Sequence, residues 1–519
     1  MRPTLRDEFD RSLARHARRT AIEYGDRRIT YAELDRWSLA IAYQLRGLGV
    51  GPGDVVAVFT ANCPEFVCVD VAIARLGAVK LPVNVMLPTS TVAYVLGTGR
   101  ARVLVSGTSV ATAAAAVVDG LSSLVRVEAF DGAGAPTDGL TGLAGQPGPD
   151  QEFSALPQTG LASSDPAALY FTGGTTGRPK GVVHSQGSTV ALHYAQLLEA
   201  EITQDDRLLL MTPLAHAAGL FAQSAVLRGA TCVLVDGFDA ARTVELFERA
   251  RITWTFLVPT MIYRILDVLA DHGDLDVALR TIVYGAAPIV PQRLNEALAR
   301  FGPVFVQLYG QTESPNWGTR LAKSDHDPTR PELLASCGQA SIVADVMVIG
   351  DDGRPVGPGQ TGEICLRTPY LLTEYVDDPA ATAAKFLGDW IRTGDIGVLD
   401  EAGYLYLRDR KNDMVISGGM NVYCREVEDV LVRHPAVRAA AVIGIPHEDW
   451  GEAVHAVIVP VQEGFSAEAL LGWARDQLAA YARPKSVETI DALPETPFGK
   501  IDKKALRAKY WAGMDRGIG

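Results

Sequence analysis

The sequence lacks the residue patterns that mark several common protein classes. Its six cysteines are scattered and form no C-x-x-C pair, so neither a disulfide framework nor a zinc site is expected. The nine histidines show no H-E-x-x-H spacing, which disfavours a metal hydrolase. No apolar run is long enough to cross a bilayer, and the charged N-terminal stretch lacks the apolar segment of a signal peptide. These absences predict a cytoplasmic protein with reduced cysteines and no integral membrane contact.

Positive charge is also in deficit, because 48 Lys and Arg residues stand against 61 Asp and Glu residues and give a formal net charge of −13 at pH 7. Such a balance disfavours a general affinity for nucleic acid or for anionic membranes. An anionic substrate would therefore need a local cation. The chain of 519 residues is 48% hydrophobic, which provides for a packed interior, and its length suggests roughly two to four domains or subdomains.

A loop rich in glycine and threonine, YFTGGTTGRPKG at residues 170–181, is the strongest local feature. Glycine allows close backbone approach, hydroxyls donate hydrogen bonds and the lysine adds positive charge, which together suit a phosphate chain. Arg178 and Pro179 separate the last glycine from the lysine, so the loop is not a Walker A motif. A flexible linker is the alternative for this segment taken alone. The candidate phosphate-binding residues are Thr172, Gly173, Gly174, Thr175, Thr176, Gly177 and Lys180.

Short apolar, β-rich runs alternate with helical patterns over most of the chain. A capping-box pattern at 30–33 precedes an amphipathic helix, and strand patterns occur at 54–59, 232–235, 254–258, 281–284 and 304–308. This alternation predicts α/β layers with largely parallel strands. Residues 109–165 are rich in Ala, Gly and Pro and are predicted to form surface loops and weak elements.

The pattern of apolar and polar residues changes in the last third of the chain. Alternating apolar residues around an Asp-Asp-Gly-Arg turn predict a small antiparallel β unit after residue 339. The charged stretch RDRKND at 408–413 is a candidate hinge, followed by alternating helix and strand patterns. We therefore predict a large N-terminal domain of layered α/β subdomains at 1–409 and a small mobile α+β domain at 410–519.

Seven motifs occur in order between residues 170 and 507, and together they identify a family resemblance that runs from about residue 10 to residue 508. They are YFTGGTTGRPKGVVHS, MTPLAHAAGLF, VQLYGQTES, TGEICLR, WIRTGDIG, DRKNDMVISGGMNVY and PETPFGKIDKKALR. This series resembles the adenylate-forming enzymes, which include acyl-CoA synthetases, beetle luciferases and the adenylation domains of peptide synthetases. The resemblance implies that a carboxylic acid reacts with ATP to give acyl-AMP and pyrophosphate, and that the acyl group then passes to a thiol.

The resemblance also implies how the charges are handled. Carboxylate and triphosphate are both anions, so cations must offset their repulsion. The loop ending at Lys180 would hold the β- and γ-phosphates, Thr312 would hydrogen-bond the α-phosphate, and Glu313 would be the carboxylate associated with Mg²⁺. A lone glutamate is usually a solvated surface residue, but Glu313 follows a strand at the edge where α/β sheets place ligands.

For adenine and ribose the resemblance implies a second group of residues. Tyr309 would stack on adenine, with a core aromatic as the alternative, and Asp395 would accept hydrogen bonds from the ribose hydroxyls. An ordinary turn residue is the alternative for Asp395. The implied set is Gly285, Ala286, Ala287, Gln307, Tyr309, Gly310, Asp395 and Arg410.

Lys500 is the implied adenylation residue, because its ammonium can bridge the attacking carboxylate and the α-phosphate. By spacing alone Lys503 and Lys504 would compete, and the Pro-x-Thr-Pro-x-Gly-Lys context selects Lys500. The implied pivot is Asn412, where relatives commonly carry Asp or Lys. A second departure from the family pattern is Gly173, where many relatives have Ser.

The acid and the thiol acceptor are also inferred by resemblance. His216 matches a gate between the acid pocket and the thiol channel, although a histidine among alanines is often a packed structural residue. The implied acid-binding residues are His216, Gly285, Gly310 and Trp317, and the implied channel for CoA contains Ser417, Gly418 and Gly419. The residues of the pocket are small or apolar, which predicts a monocarboxylic acid with an apolar or aromatic body that Trp317 shortens.

The leading hypothesis is thus an acid:CoA ligase that uses ATP, Mg²⁺ and CoA as co-substrate. Only a short tail follows Lys500, so a free thiol is a simpler acceptor than a carrier protein. Alternatives are an acid-adenylating enzyme that uses a carrier-protein thiol, an amine or another nucleophile, and a non-catalytic nucleotide-binding protein. The expected partners are small molecules, with a homodimer as an alternative to a monomer.

Overall fold

The computed structural model describes residues 3–118, 126–130, 154, 156–157, 159–172, 179–270, 273, 275–410, 413–417, 420–461, 464–475, 477–495 and 501–512. The chain divides into two units, the first comprising Met1–Val346 and Leu366–Ile391 and the second Met347–Cys365 and Arg392–Gly519. This division differs from the predicted boundary at 409/410, because residues 347–365 and 392–409 cluster with the C-terminal part of the chain. The mobility of residues 410–519 stays a prediction.

Fifteen α-helices and twenty-six strands are found among the described residues. The helices are α1 (Leu5–Arg15), α2 (Tyr31–Gly47), α3 (Pro64–Leu76), α4 (Thr89–Thr98), α5 (Ala111–Val118), α6 (Gln186–Glu199), α7 (Ala217–Arg228), α8 (Ala240–Arg249), α9 (Pro259–Leu269), α10 (Pro291–Phe301), α11 (Pro331–Leu334), α12 (Pro379–Lys385), α13 (Cys424–Leu431), α14 (Ala467–Arg475) and α15 (Lys503–Ala508). The strands are β1 (Thr20–Tyr24), β2 (Arg27–Thr30), β3 (Val55–Phe59), β4 (Val79–Val83), β5 (Ala101–Gly107), β6 (Arg126–Phe130), β7 (Pro166–Thr172), β8 (Lys180–Ser185), β9 (Arg207–Leu210), β10 (Thr231–Leu234), β11 (Trp254–Leu257), β12 (Thr281–Tyr284), β13 (Phe305–Gln311), β14 (Ser314–Leu321), β15 (Gln339–Ala340), β16 (Asp345–Ile349), β17 (Thr361–Arg367), β18 (Glu374–Tyr375), β19 (Phe386–Leu387), β20 (Trp390–Leu399), β21 (Leu405–Arg410), β22 (Val415–Ser417), β23 (Met420–Val422), β24 (Val437–His447), β25 (Gly451–Pro460) and β26 (Ser486–Thr489).

Two large sheets organise the first unit. One has the order β15-β14-β13-β12-β11-β9-β10-β1-β2 and the other β18-β8-β7-β4-β3-β5-β6. The interior pairs, such as β11 with β12 and β3 with β4, are parallel, whereas edge pairs such as β13 with β14 and β7 with β8 are antiparallel. The predicted α/β layers with largely parallel strands are confirmed.

Local sequence signals account for several helix ends. The predicted capping box before α2 is present, because the Thr30 side chain accepts from the Glu33 backbone N–H and the Glu33 carboxylate binds back to Thr30. Gly77 ends α3 with a φ of 67°, a left-handed conformation that glycine adopts without steric cost. These signals fix where α2 begins and α3 ends.

Helix α3 is the buried centre of the first unit. All 13 of its residues are buried, and it contacts β1 of one large sheet and β3 and β4 of the other. One of its charged side chains, Asp70, is paired inside the protein: Lys80 Nζ of β4 lies 2.7 Å from Asp70 Oδ2, and Gln223 Nε2 donates to Asp70 Oδ1 at 2.9 Å. Burial lowers the pKa of Lys80, but the Asp70 carboxylate outweighs that effect and holds the pKa above its usual value.

The prediction for residues 109–165 is wrong in part. The alanine-rich segment that follows β5 forms α5, and β6 pairs in parallel with β5 at the edge of the seven-stranded sheet. Alanine has the highest helix propensity, and this outweighs the irregular pattern on which the loop prediction was based. Much of the remaining Gly- and Pro-rich stretch lies outside the described residues.

The second unit contains an α+β body built on β24 and β25. These long strands pair antiparallel, with β22 and β26 on the other side of β25. Helices α13 and α14 cover one face through Val427 and Leu470, while Leu506 of α15 packs on the opposite face. The predicted small antiparallel β unit is also found after residue 339, where β20 pairs antiparallel with β21.

Within the described part of the chain, no helix combines the length and the apolarity needed to cross a membrane.

We expect Lys80→Met to lower the unfolding free energy by about 3–5 kcal/mol, because it leaves the Asp70 carboxylate buried without its partner. The double variant Lys80→Met/Asp70→Leu should recover most of the loss, since no buried charge remains. Chemical denaturation measures both. Arg249→Ala is the control, because its side chain is 79% exposed in a pair with Glu245, and it should change stability by under about 0.5 kcal/mol. Equal losses in the single and double variants would contradict this account.

Candidate active site

The glycine- and threonine-rich loop joins β7 to β8. These strands pair antiparallel, with Thr172 opposite Lys180, so the two ends of the loop are fixed next to each other. Residues 173–178 lie outside the described residues. Phosphate binding by the loop stays a prediction, as do the contributions of Gly173, Gly174, Thr175, Thr176 and Gly177.

Lys180 begins β8 and is the cation among the described residues of this hairpin. Its side chain is 37% exposed, and its Nζ lies 3.3 Å from Asp378 Oδ2. The same Nζ is 5.2 Å from the centroid of the Tyr375 ring, a cation–π distance. The lysine is therefore held from two sides by side chains that belong to none of the motifs.

The turn between β13 and β14 carries Thr312 and Glu313, and both are anchored to the seven-stranded sheet. His184 Nε2 donates to the Thr312 carbonyl at 2.8 Å, and the Leu372 backbone N–H donates to the Glu313 carbonyl at 2.8 Å. The Tyr375 hydroxyl donates to Glu313 Oε1 at 2.6 Å. A carboxylate at the end of β13 is thus fixed through both its backbone and its side chain.

A second cation faces this turn. Lys385 Nζ lies 3.8 Å from Glu313 Oε1 and donates to Gln311 Oε1 at 2.6 Å. The side chains of Lys385 and Glu313 are 13% and 11% exposed. In such a partly dry setting the attraction between unlike charges is stronger than in water.

Two glycines of the implied nucleotide set are required by close backbone packing at the ends of β12 and β13. A Cβ on Gly285 would lie 2.5 Å from the Leu308 carbonyl oxygen, and one on Gly310 would lie 2.7 Å from the Asn316 nitrogen. Ala286 has a φ of 64°, an uncommon left-handed conformation for a residue with a Cβ. The ends of adjacent parallel strands are where α/β sheets bind ligands.

The structure brings together most of the residues implied for adenine. β12 and β13 pair in parallel with Tyr284 opposite Gln307, which places the turn of Gly285, Ala286 and Ala287 beside the end of β13. Tyr309 is 8% exposed. Gln307 Oε1 is buried without a hydrogen-bond partner among the described residues, so it is an acceptor that a bound molecule could satisfy.

His216 lies directly before α7 and is contacted by a residue that the motifs do not include. Asn84 Nδ2 donates to His216 Nε2 at 3.0 Å, and Asn84 Oδ1 accepts from the Met86 backbone N–H at 3.0 Å. The backbone contact fixes which end of the amide faces the imidazole. Nε2 therefore accepts, which places the proton of the neutral ring on Nδ1.

Trp317 is fully buried in the main core of the first unit. Its ring packs edge-on against Phe221 at 6.5 Å, and its Nε1 lies 3.4 Å from Gln196 Oε1. The backbone carbonyl of Trp317 accepts from the Tyr370 hydroxyl at 2.6 Å. The indole is thus a rigid part of the core, and its place beside a bound acid stays a prediction.

In the second unit, Asp395 and Arg410 lie together as the resemblance implies. They are opposite each other in the β20–β21 pair, and Arg410 Nε lies 3.4 Å from Asp395 Oδ1. Gly394, with a φ of 78°, and the Thr393 hydroxyl, which donates to the Ile364 carbonyl, shape the strand before Asp395. Their contact with ribose stays a prediction.

The lysines near the C-terminus have different surroundings. Lys503 Nζ lies 2.7 Å from Glu428 Oε1, and the two side chains are 14% and 15% exposed. Burial lowers the pKa of Lys503, but Glu428 and the other acidic groups around it, among them Asp409 and Asp413, together raise it above its usual value. Lys504 is exposed on α15. Lys503 therefore serves the packing of the second unit, which removes one of the two competitors of Lys500.

Several predicted residues lie outside the described part of the chain. They are Lys500, the pivot Asn412, and Gly418 and Gly419 of the CoA channel. Ser417 is described and is buried at the end of β22. The roles of these residues stay predictions.

Comparison with protein families settles the family. The AMP-binding enzyme model matches residues 9–376, and the model for the AMP-binding enzyme C-terminal domain matches residues 426–500. The chain belongs to the AMP-binding enzyme family. The resemblance to adenylate-forming enzymes is thereby confirmed, and so is the predicted class of fold, a large α/β body with a smaller C-terminal α+β body.

Three relatives of this AMP-binding enzyme cover almost its whole length. A medium/long-chain-fatty-acid–CoA ligase of Mycobacterium tuberculosis is 37% identical, with 98% of this chain and 90% of that protein covered. A feruloyl-CoA synthase of an Amycolatopsis species is 37% identical, with 95% and 96% covered. The structure of the amide bond synthetase McbA from Marinactinospora thermotolerans superposes with a TM-score of 0.88 at 31% identity, covering 98% and 99%.

Four residues that contact the predicted site were missed by the sequence analysis of this AMP-binding enzyme. They are Asn84, His184, Tyr375 and Lys385. A signal existed for His184, because residues two and four apart on a strand share a face and it lies four residues after Lys180. Tyr375 lies in a strand of two residues, too short for any periodicity.

Acid should destabilise the fold through His184. Burial lowers its pKa to about 4 from 6.5, so between these values the unfolded chain binds more protons and the unfolding free energy falls as pH falls. We expect His184→Gln to reduce the loss of unfolding free energy between pH 7 and pH 5 by about 2 kcal/mol. Urea denaturation at the two pH values measures it. Parallel pH profiles for the variant and the wild type would contradict this assignment.

Proposed function

We propose that this chain is an ATP-dependent carboxylic acid:CoA ligase. The acid and ATP give acyl-AMP and pyrophosphate, and the CoA thiol then attacks the acyl carbon with release of AMP. The observation that supports this proposal is that a cation and a carboxylate contact the same side chain. Lys180 lies over the Tyr375 ring, and Glu313 accepts a hydrogen bond from the Tyr375 hydroxyl. The fatty-acid–CoA ligase and feruloyl-CoA synthase relatives support CoA as the acceptor.

The residues at the Thr312–Glu313 turn fit a magnesium ion. Mg²⁺ is usually held by one or two carboxylates together with substrate phosphates rather than by a protein cage. Glu313 supplies one fixed carboxylate, and the described residues contain no group of three or more candidate ligands. When bound, the ion would neutralise phosphate charge. Lys180 is proposed to contact the β- and γ-phosphates and Thr312 the α-phosphate.

The rest of the nucleotide is assigned to residues whose environment supports the contact. Tyr309 is proposed to stack on adenine, and the buried, unpaired Gln307 Oε1 would accept from the exocyclic amino group. Asp395 is proposed to accept from the ribose hydroxyls, with Arg410 at its side. A vicinal diol matches the two oxygens of one carboxylate.

The small domain is proposed to alternate between the two steps by rotation about Asn412. It would bring Lys500 to the attacking carboxylate in the first step and then admit the pantetheine arm along Ser417, Gly418 and Gly419. His216 would gate the thiol channel, with Asn84 holding its imidazole. All six cysteines lie among the described residues and none of them forms a disulfide, which suits a cytoplasmic location.

The acid is proposed to be a monocarboxylate with an apolar or aromatic body. Fatty acids and ferulate, the acids in the names of two relatives, both have this character. The likeness to an amide bond synthetase supports an amine as the second candidate acceptor. Neither candidate changes the adenylation step.

Initial rates over a panel of aliphatic and aryl acids test the proposed function. We expect pyrophosphate release with at least one medium-chain or aryl acid, and AMP release that accelerates when CoA is added. If AMP release accelerates with an amine or a carrier protein but not with CoA, that nucleophile and not CoA is the acyl acceptor. Preference for a very long chain would contradict the shortening of the pocket by Trp317, and failure of pyrophosphate exchange with every acid would overturn adenylation.

Lys500→Ala should lower adenylate formation by about 100- to 1,000-fold, because the ammonium stabilises charge only in the first step. Thioester formation from chemically prepared acyl-AMP should keep most of its rate. The two half-reactions are measured separately. Lys504→Ala is the matched control, since Lys504 is an exposed lysine in the same segment. An equal loss in both half-reactions, or the same effect from Lys504→Ala, would contradict the role of Lys500.

A further inference from the structure

One short segment outside the motifs touches both charged groups of the proposed phosphate site. Leu372 N–H and the Tyr375 hydroxyl bind Glu313, while Asp378 and the Tyr375 ring contact Lys180. These residues follow one another along the chain between β17 and α12. Tyr375 contacts both the carboxylate of Glu313 and the ammonium of Lys180.

Strand pairing explains why the segment reaches this place. β18 pairs antiparallel with β8, with Tyr375 opposite Val182, and the Val376 N–H donates to the Gly181 carbonyl at 2.8 Å. Residues directly opposite in an antiparallel pair share a face, and so do residues two apart on one strand. Tyr375 therefore lies on the same face as Lys180. A Cβ on Gly181 would lie 3.2 Å from Val376 Cγ2, so glycine permits the close approach.

The hydroxyl of Tyr375 does more than packing requires. A buried phenylalanine would fill the same space, but it could not donate to the Glu313 carboxylate at 2.6 Å. A tyrosine hydroxyl carries its proton at neutral pH, and an ionised carboxylate can only accept, so the hydroxyl is the donor in this contact. A donor to an ionised carboxylate makes one of the stronger hydrogen bonds in proteins.

We propose that Tyr375 is a positioning residue that orients both Glu313 and Lys180 toward the same triphosphate. Its hydroxyl would orient the Glu313 carboxylate toward the metal, and its ring would position the Lys180 ammonium for the β- and γ-phosphates. The partly exposed Asp378 carboxylate forms an ion pair with Lys180, and the Lys385 ammonium forms one with Glu313. This inference rests on the proposed roles of Glu313 and Lys180.

Tyr375→Phe removes only the hydroxyl and keeps the ring beneath Lys180. Residues that orient metal ligands typically contribute about 10- to 100-fold to metal affinity. We expect the Mg²⁺ concentration for half-maximal pyrophosphate exchange to rise about tenfold, with the rate largely restored at saturating Mg²⁺. Tyr375→Leu removes the ring as well and should further weaken the binding of the nucleotide by a few fold.

Binding measurements provide a readout besides activity. Mn²⁺ titrated into the whole protein with a non-hydrolysable ATP analogue, and followed by electron paramagnetic resonance, should bind about tenfold more weakly to Tyr375→Phe. Tyr31→Phe is the matched control, because that hydroxyl donates to the Ala230 carbonyl at 2.6 Å in the core. It should lower stability without changing Mn²⁺ binding. Unchanged Mn²⁺ binding in Tyr375→Phe, or an equal change in Tyr31→Phe, would overturn the proposal.

Variants of Glu313 separate this inference from the proposed function. If the hydroxyl acts through the carboxylate, Tyr375→Phe should add little to the loss of Mn²⁺ binding in Glu313→Gln. Additive losses would overturn the coupling between the two side chains. If Glu313→Gln itself leaves Mn²⁺ binding unchanged, the metal role of Glu313 fails, whereas a strong effect of Glu313→Gln with a silent Tyr375→Phe refutes the role of Tyr375 alone.

Discussion

Repulsion between two anions is the constraint on which the site depends. A carboxylate and a triphosphate must approach to bonding distance inside a protein with a net charge of −13, so each cation must be placed rather than supplied by composition. Lys180 and Lys385 are both held by carboxylates of the first unit. This arrangement keeps positive charge available at one turn while the protein as a whole stays acidic.

The fold provides fixed backbone for these side chains. The turns after β12 and β13 meet because the strands are adjacent and parallel, and Gly285 and Gly310 let them approach without a Cβ in the way. Helix α3 is fully buried, contacts both large sheets and holds Asp70 in an internal pair with Lys80, so the first unit has a well-packed interior. Rigid support of this kind reduces the reorganisation that charge stabilisation would otherwise require.

The contacts also explain how roles divide among residues with the same chemistry. Lys503 and Lys504 lie beside each other, yet one is paired with Glu428 in the interior and the other is exposed. His184 is buried and donates a hydrogen bond to the backbone carbonyl of Thr312. His216, which directly precedes α7, instead accepts a hydrogen bond from the Asn84 side chain. Burial and partner, not residue type, distinguish structural members from those proposed to meet substrate.

The sequence by itself determined the alternation of strands and helices, the capping box of α2, the candidate site residues and the family, because these follow from local patterns and ordered motifs. It missed α5 and β6, where helix propensity and pairing to β5 outweighed an irregular composition. Only the tertiary structure decided that Tyr375 contacts Glu313, 62 residues away, and that His184 and Asn84 contact residues 128 and 132 positions away. Such contacts depend on strand order and register, which no local pattern encodes.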